Sequence, residues 1–247
     1  MKLLSPLSET DLNLYDLKQD DFRKFDERTL LVTKFDWDYD KAHAFQRRAL
    51  ILLETNPQLR IIIACSHPRV FTHGRGLQRA KKGEENNLVE FNPSMIPMLP
   101  FPFFQIERGG GLTFHHPGQM IIYPIVRLSP EKLSLSKMMN DLFDSAITVL
   151  KAKGLNNLVH QTKLLGLWHN DNKLASMGIA IEKLKTFHGM ALNFYKDDEM
   201  KNALRMINPC GLNAQTYISV EELIPLNGYS LNEFTEDFLK ELKNAWK

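Results

Sequence analysis

"KLLGLWHNDNKLASMGIAIEKLKTFHGMALN", residues 163–193, decides the fold class. Apolar residues dominate it, and the breaks are short: Asn170-Asp171-Asn172 in one place, Glu182-Lys183 in another. Asn and Asp tolerate left-handed backbone and bond their own main chain, so "NDN" reads as a hairpin turn. The stretch therefore reads as three successive strands, around 163–168, 173–181 and 184–193. Strands that follow one another without an intervening helix argue against a doubly wound parallel sheet. The expectation is α+β.

Working outward, "LRIIIACSHP" (59–68) is an apolar, β-branched run ended by Pro68, the pattern of a buried strand. "VFTHGRG" (70–76) reads as a strand end with a glycine turn, "FPFFQIERGGG" (101–111) as a strand running into glycines, and "QMIIYPIVRL" (119–128) as a second apolar strand. Ala42, Phe45, Ala49, Leu52 and Leu53 recur at helical spacing within 38–55. The strongest helix pattern lies between Pro130, expected in its first turn, and Gly154, with a stripe of Leu135, Met138, Met139, Leu142, Ala146, Val149 and Leu150. "SLNEFTEDFLKELKNAW" (230–246) closes the chain as a helix, Ser230 and Glu233 having capping-box spacing. Residues 79–100 read as a long loop. Residues 1–35 are acidic and weakly periodic and read as an extension or docking arm, with 36–247 as a single domain.

Composition narrows the function classes. With 247 residues, 43% hydrophobic and 24% charged, the chain can bury a sizeable core. Thirty-one Lys+Arg against 29 Asp+Glu give a formal net charge of +2, too balanced for bulk nucleic-acid binding. Two cysteines, Cys65 and Cys210, make neither a disulfide framework nor a CxxC pair, which suits a reducing compartment. The start of the chain turns acidic, unlike a signal or transit peptide, so a cytoplasmic location is expected.

Four segments could carry chemistry. In "ERGGGLTFHHPGQ" (107–119) three glycines let a ligand approach the backbone, and Arg108 could fix an anion or a carbonyl. The spacing matches neither GxGxxG nor a Walker loop, and a plain tight turn is the alternative. In "WHNDNKLASMGIAI" (168–181) Lys173 opens an otherwise apolar strand. It is either a solvated strand end or a lysine beside a site, where burial would disfavour its charged form. His188-Gly189 interrupts the apolar run "KTFHGMALNF" (185–194), as a hydrogen-bonded core histidine or a pocket wall. In "RMINPCGLNAQ" (205–215) the Pro-Cys-Gly turn holds Cys210 as packing or as a nucleophile, which would need a positive neighbour. Cys65, inside a buried strand, reads as inert. His115 and His116 point to opposite faces of a strand, and no HxH or HExxH occurs, so no metal is expected.

These segments in order, RGG-x-x-T-aromatic-H-x-PGQ, W-x-x-x-x-K-apolar-A-S-x-G, HG-x-AL-N and PCG, preceded by "HPRVFTHGRG" (67–76), resemble the lipoyl(octanoyl) transferases over about residues 38–222. The resemblance implies a fold like that of lipoate and biotin protein ligases, a mixed sheet flanked by helices. It implies transfer of an octanoyl group from octanoyl-acyl carrier protein to a lysine of a lipoyl domain, with no cofactor. The acceptors would be lipoyl domains of 2-oxoacid dehydrogenase complexes and glycine cleavage H protein. Cys210 would carry the acyl group as a thioester and Lys173 would assist it. The acyl site would be lined by Arg108, Gly109, Gly110, Gly111, Leu112, Thr113, Phe114 and His115, by Ser176, Met177 and Gly178, and by His188, Gly189, Met190 and Ala191. His116, Gly111 and Ile218-Ser219 depart from the family pattern, and the extra His116 is expected to narrow or polarise the pocket. The rivals are an ATP-dependent lipoate-protein ligase of the same fold, which needs no nucleophilic cysteine, a non-catalytic lipoyl-domain-binding module, and a Cys-His hydrolase. The basic run "RAKK" (79–82), with Arg69 and Arg75, is expected to help dock an acidic carrier protein.

Overall fold

The structure, a computed structural model, describes residues 8–76, 93–129, 131–161, 164–207 and 214–246. Strands β1 (Phe22–Lys24), β2 (Thr29–Lys34), β3 (Arg60–Cys65), β7 (Gln119–Ile125), β8 (Leu158–Gln161), β9 (Gly166–His169), β10 (Asn172–Glu182) and β11 (Lys185–Asn193) form an eight-stranded sheet in the order β1-β2-β3-β7-β11-β10-β9-β8. A three-stranded sheet, β5-β4-β6, stands beside it, made of β4 (Val70–Gly76), β5 (Phe103–Gln105) and β6 (Gly110–His115). Only β2/β3 and β4/β5 pair parallel; the other ladders are antiparallel. The sheet is mixed and the fold is α+β, as the run of adjacent strands at 163–193 requires.

Helices cover both faces of the larger sheet, which is why its central strands are apolar throughout rather than alternating. Period two divides each strand between two cores. Ile61, Ile63 and Cys65 join Ala42, Phe45 and Leu53 of helix α2 (Tyr39–Thr55) on one face. Ile62 and Ala64 join Leu142, Ala146, Phe234 and Phe238 on the other, from helices α3 (Leu135–Ala152) and α6 (Leu231–Ala245), with Val220 of the short helix α5 (Val220–Leu223) in the same core. The Ser230–Glu233 capping box of α6 is present. Cys65 is fully buried, and burial pushes its thiol well up, so it packs as an inert side chain.

The structure departs from the sequence reading in several places. Residues 8–34 do not hang off the domain: β1 and β2 extend the sheet, and Leu12, Tyr15 and Leu17, with helix α1 (Glu9–Leu14), pack on the α2 core. Trp37 Nε1 donates to the Tyr15 carbonyl at 2.8 Å. The segment looked patternless because its apolar residues are paid out singly onto a neighbouring helix. Helix α3 begins at Leu135, with Ser134 accepting from Lys137 N at 3.1 Å; Pro130, expected in its first turn, lies outside the described residues. Strand β8 and helix α4 (Asp198–Ile207) were not foreseen. Most of the stretch expected as a loop over 79–100, with "RAKK", lies outside the described residues, but Pro93–Met98 is a 3-10 helix. No helix of the described residues is long and apolar enough to cross a membrane.

Candidate active site

A cavity of about 500 Å³ opens where β6, β10 and β11 meet α3. That is the size range of small-molecule sites, which are mostly apolar with a few fixed polar groups. Leu135 and Met139 of α3, Leu164, Leu165, Met177, Ile179 and Met190 supply apolar wall, and Lys173, Ser176, His115 and Tyr217 supply polar atoms. Of the acyl-site residues expected from sequence, Arg108 to Thr113, His115, Ser176 to Gly178, and His188 to Ala191 all line this one space.

Lys173 is 7% exposed and on the cavity wall. Its Nζ lies 5.6 Å from the centre of the Trp168 ring, its cross-strand partner. A Cβ on Gly166 would sit 2.6 Å from Lys173 Cε and 2.3 Å from the Ala175 carbonyl oxygen, so only glycine leaves the stem its path. The Lys173 carbonyl accepts from Ile218 N at 3.2 Å, and Lys173 bridges Tyr217 in parallel. Residues 208–213, and Cys210 with them, lie outside the described residues. The chain that follows them, from the 3-10 turn Ala214–Thr216 to Tyr217 and Ile218, is pinned to the strand carrying Lys173.

Arg108 does not hold its guanidinium out to a ligand. Nη1 donates to the carbonyls of Gly109 (3.1 Å) and Gly111 (2.9 Å), and Nη2 to the carbonyl (2.8 Å) and hydroxyl (2.9 Å) of Thr72. The carbonyls it fixes belong to the glycine turn itself. Its stem crosses so close to β10 that a Cβ on Gly178 would come within 2.9 Å of Arg108 Cδ.

From Arg108 a single line of hydrogen bonds runs through the interior. Thr72 Oγ1 and His115 Nε2 are 3.2 Å apart, His115 Nδ1 and Gln119 Oε1 3.1 Å. Gln119 Nε2 donates to Asn193 Oδ1 at 2.9 Å, and Asn193 Nδ2 to the Ile218 carbonyl at 3.1 Å. Because Arg108 is an obligate donor and the Gln119 oxygen an acceptor, His115 carries its proton on Nδ1 and accepts a hydrogen bond from the Thr72 hydroxyl on Nε2. Every bond then points one way, from the glycine turn to the segment after residue 213. Burial holds His115 well below the ordinary histidine value, so it is neutral, as this wiring requires.

Two expected residues stand elsewhere. Phe114 faces away from the main cavity into the aromatic packing of Phe71 (5.0 Å) and Phe101 (5.5 Å), because strand alternation sends it opposite to Thr113 and His115. His116 neither narrows nor polarises the pocket: it is absent from the cavity wall and lies, fully buried, 3.8 Å from Asp197 at the start of α4. Arg69, expected at a docking patch, is paired with the same Asp197 at 2.9 Å.

These features have counterparts. Residues 38–243 match the family described as Lipoyl protein ligase A/B catalytic domain. The chain belongs to that family. Within it, the chain is 30% identical to the octanoyltransferase of Syntrophobacter fumaroxidans over 76% of its own length and 77% of that protein. It is 32% identical to the chloroplastic octanoyltransferase LIP2p2 of Arabidopsis thaliana over 79% of its length. The match spans 65% of the Arabidopsis protein. Among solved structures, a lipoate-protein ligase A bound with ATP superposes with a TM-score of 0.63 at 12% identity, covering 88% of this chain and 84% of that one. The mixed sheet flanked by helices is thus the lipoyl protein ligase A/B fold. The residues of this family member that sequence reading missed, Thr72, Gln119, Asn193 and Tyr217, are ordinary polar residues within strands or after a turn. Thr72, Gln119 and Asn193 stand inside the sequence motifs given above with no role assigned to them there, and Tyr217 lies outside those motifs.

Proposed function

We propose that the protein is an acyltransferase that moves an octanoyl group from octanoyl-acyl carrier protein to the lysine of a lipoyl domain through a thioester on Cys210. The observation that carries this reading is Lys173, a buried amine on the wall of an apolar cavity whose backbone holds the segment that follows Cys210.

In the first step the Cys210 thiolate attacks the donor thioester carbonyl. A new C–S bond forms, the bond to the carrier thiol breaks, and that thiol leaves with a proton that Lys173 can supply. In the second step the neutral lysine amine of the acceptor attacks the Cys210 thioester. The amide forms, the Cys210 thiolate departs, and the amine's proton passes to Lys173. One thioester is exchanged for another, so no nucleotide is consumed. Leu135, Met139, Leu165 and Met177 would hold the alkyl chain, whose burial contributes about 0.8 kcal/mol per CH₂, or about 5 kcal/mol for seven carbons. The Arg108–Ile218 line fixes the glycine turn relative to the segment that follows Cys210, and Cys210 would meet the thioester from there. The acceptors would be lipoyl domains of 2-oxoacid dehydrogenase complexes and glycine cleavage H protein. The test is transfer to a lipoyl domain without ATP: wild type turns over, and Cys210→Ser stops. Full transfer by Cys210→Ser, or an absolute need for ATP, refutes the reading.

A further inference from the structure

A second cluster lies behind the cavity, and the acyl-transfer chemistry makes no use of it. His43 comes from α2, Glu107 from the turn before Arg108, and His188 from β11. His43 Nε2 lies 3.1 Å from Glu107 Oε2, and His188 Nε2 3.8 Å from the same oxygen. One ligand atom from each of the three falls within 4.8 Å of the others. A tetrahedral ion with bonds of about 2.1 Å needs donors about 3.4 Å apart, so these atoms need only small side-chain shifts.

Three further observations point to a ligand. His188 is 1% exposed, and its Nε2 has no hydrogen-bond partner among the described residues, because 3.8 Å is too long for one. His188 is held in the left-handed region at φ 58°, where a histidine is strained, by Gln46 Oε1 accepting from His188 N at 2.8 Å. The ring of His43 stacks on that of His188 at 5.3 Å and 16°. Arg47 takes the other carboxylate oxygen, 3.8 Å away, and is engaged by Glu182 at 2.9 Å, so it leaves Oε2 to the imidazoles.

We propose that His43, Glu107 and His188 bind one divalent transition-metal ion of the zinc type, with one coordination position open. Two imidazoles and a carboxylate are donors that suit zinc. The ion clamps α2 and β11 to the turn that carries Arg108, and His188 is the wall shared with the acyl cavity. The site is independent of the acyl-transfer reading.

The test uses the full chain, stripped with a chelator and titrated with Zn²⁺ by calorimetry and with Co²⁺ by visible absorption. One ion per chain is expected, with the visible bands of a four-coordinate N/O cobalt site and a rise in Tm on zinc addition. Losing an outer-sphere partner costs metal affinity roughly 10- to 100-fold, so His43→Ala, losing a direct ligand, should weaken binding by more than about 100-fold. Glu107→Gln, which keeps side-chain shape, should do so as well. Unchanged affinity in both variants, no saturable binding, or intense thiolate-to-cobalt charge-transfer bands would each overturn the site.

Discussion

His115 and His188 line the same cavity, both buried and both held below the ordinary histidine value. His115 is fully wired: each nitrogen has a partner, and the ring passes orientation from Arg108 toward Ile218. His188 is strained, and its Nε2 stands 3.8 Å from a carboxylate with no hydrogen bond. A satisfied buried histidine fixes geometry, whereas one left short of a partner retains ligand capacity.

The comparison can be broken from the side of the chemistry it serves. Lys173→Ala should reduce transfer by at least about 100-fold, the low end of general acid–base contributions, with Tm little changed. A variant that keeps near wild-type rates would leave the wired wall with nothing to position. Next in size, Gln119→Leu strands the His115 Nδ1 proton and the Asn193 oxygen. It should cost at least about 1–3 kcal/mol in urea denaturation, since orphaned buried polar groups keep their desolvation penalty. A neutral result would mean the line from Arg108 to Ile218 is not a working unit.

Acid probes both walls together. The unfolded chain takes up histidine protons as pH falls through about 6.5, whereas folded His67, His116 and His188 do so only near 4, chiefly because they are buried. Unfolded chains thus bind more protons between those values, and stability falls as pH falls through that window. Thermal melts from about pH 7 down to about pH 5 should show Tm dropping; a flat profile contradicts neutral buried histidines. The smallest effect is in the cavity's apolar wall. Met139→Trp should shift acyl preference toward shorter chains by about fourfold per methylene, from about 0.8 kcal/mol each, read from competition between donors of different length.

How much of this was legible in the sequence follows from range. The three strands at 163–193, helix α2 and the cap of α6 are local patterns, and the residues carry them directly. The helical content of 198–207 was missed because an acidic start, Asp198-Glu199, follows a strand end without a clear break. The N-terminal segment was misread because its partners are on α2. Lys173 stood out as a charge in an apolar strand. Phe114 was assigned to the pocket by motif, and His116, a departure from that motif, was expected to narrow or polarise it; Phe114 packs on Phe71 and His116 lies beside Asp197 instead. The cluster of His43, Glu107 and His188 is assembled from three distant segments, so no spacing rule could show it.

The most direct measurement is the intact mass of the full chain after mixing with octanoyl-acyl carrier protein without acceptor, followed by peptide mapping. The account predicts one octanoyl group, carried on Cys210, labile to hydroxylamine and passed on when a lipoyl domain is added. No adduct, or an adduct on another residue with transfer intact in Cys210→Ser, would contradict it.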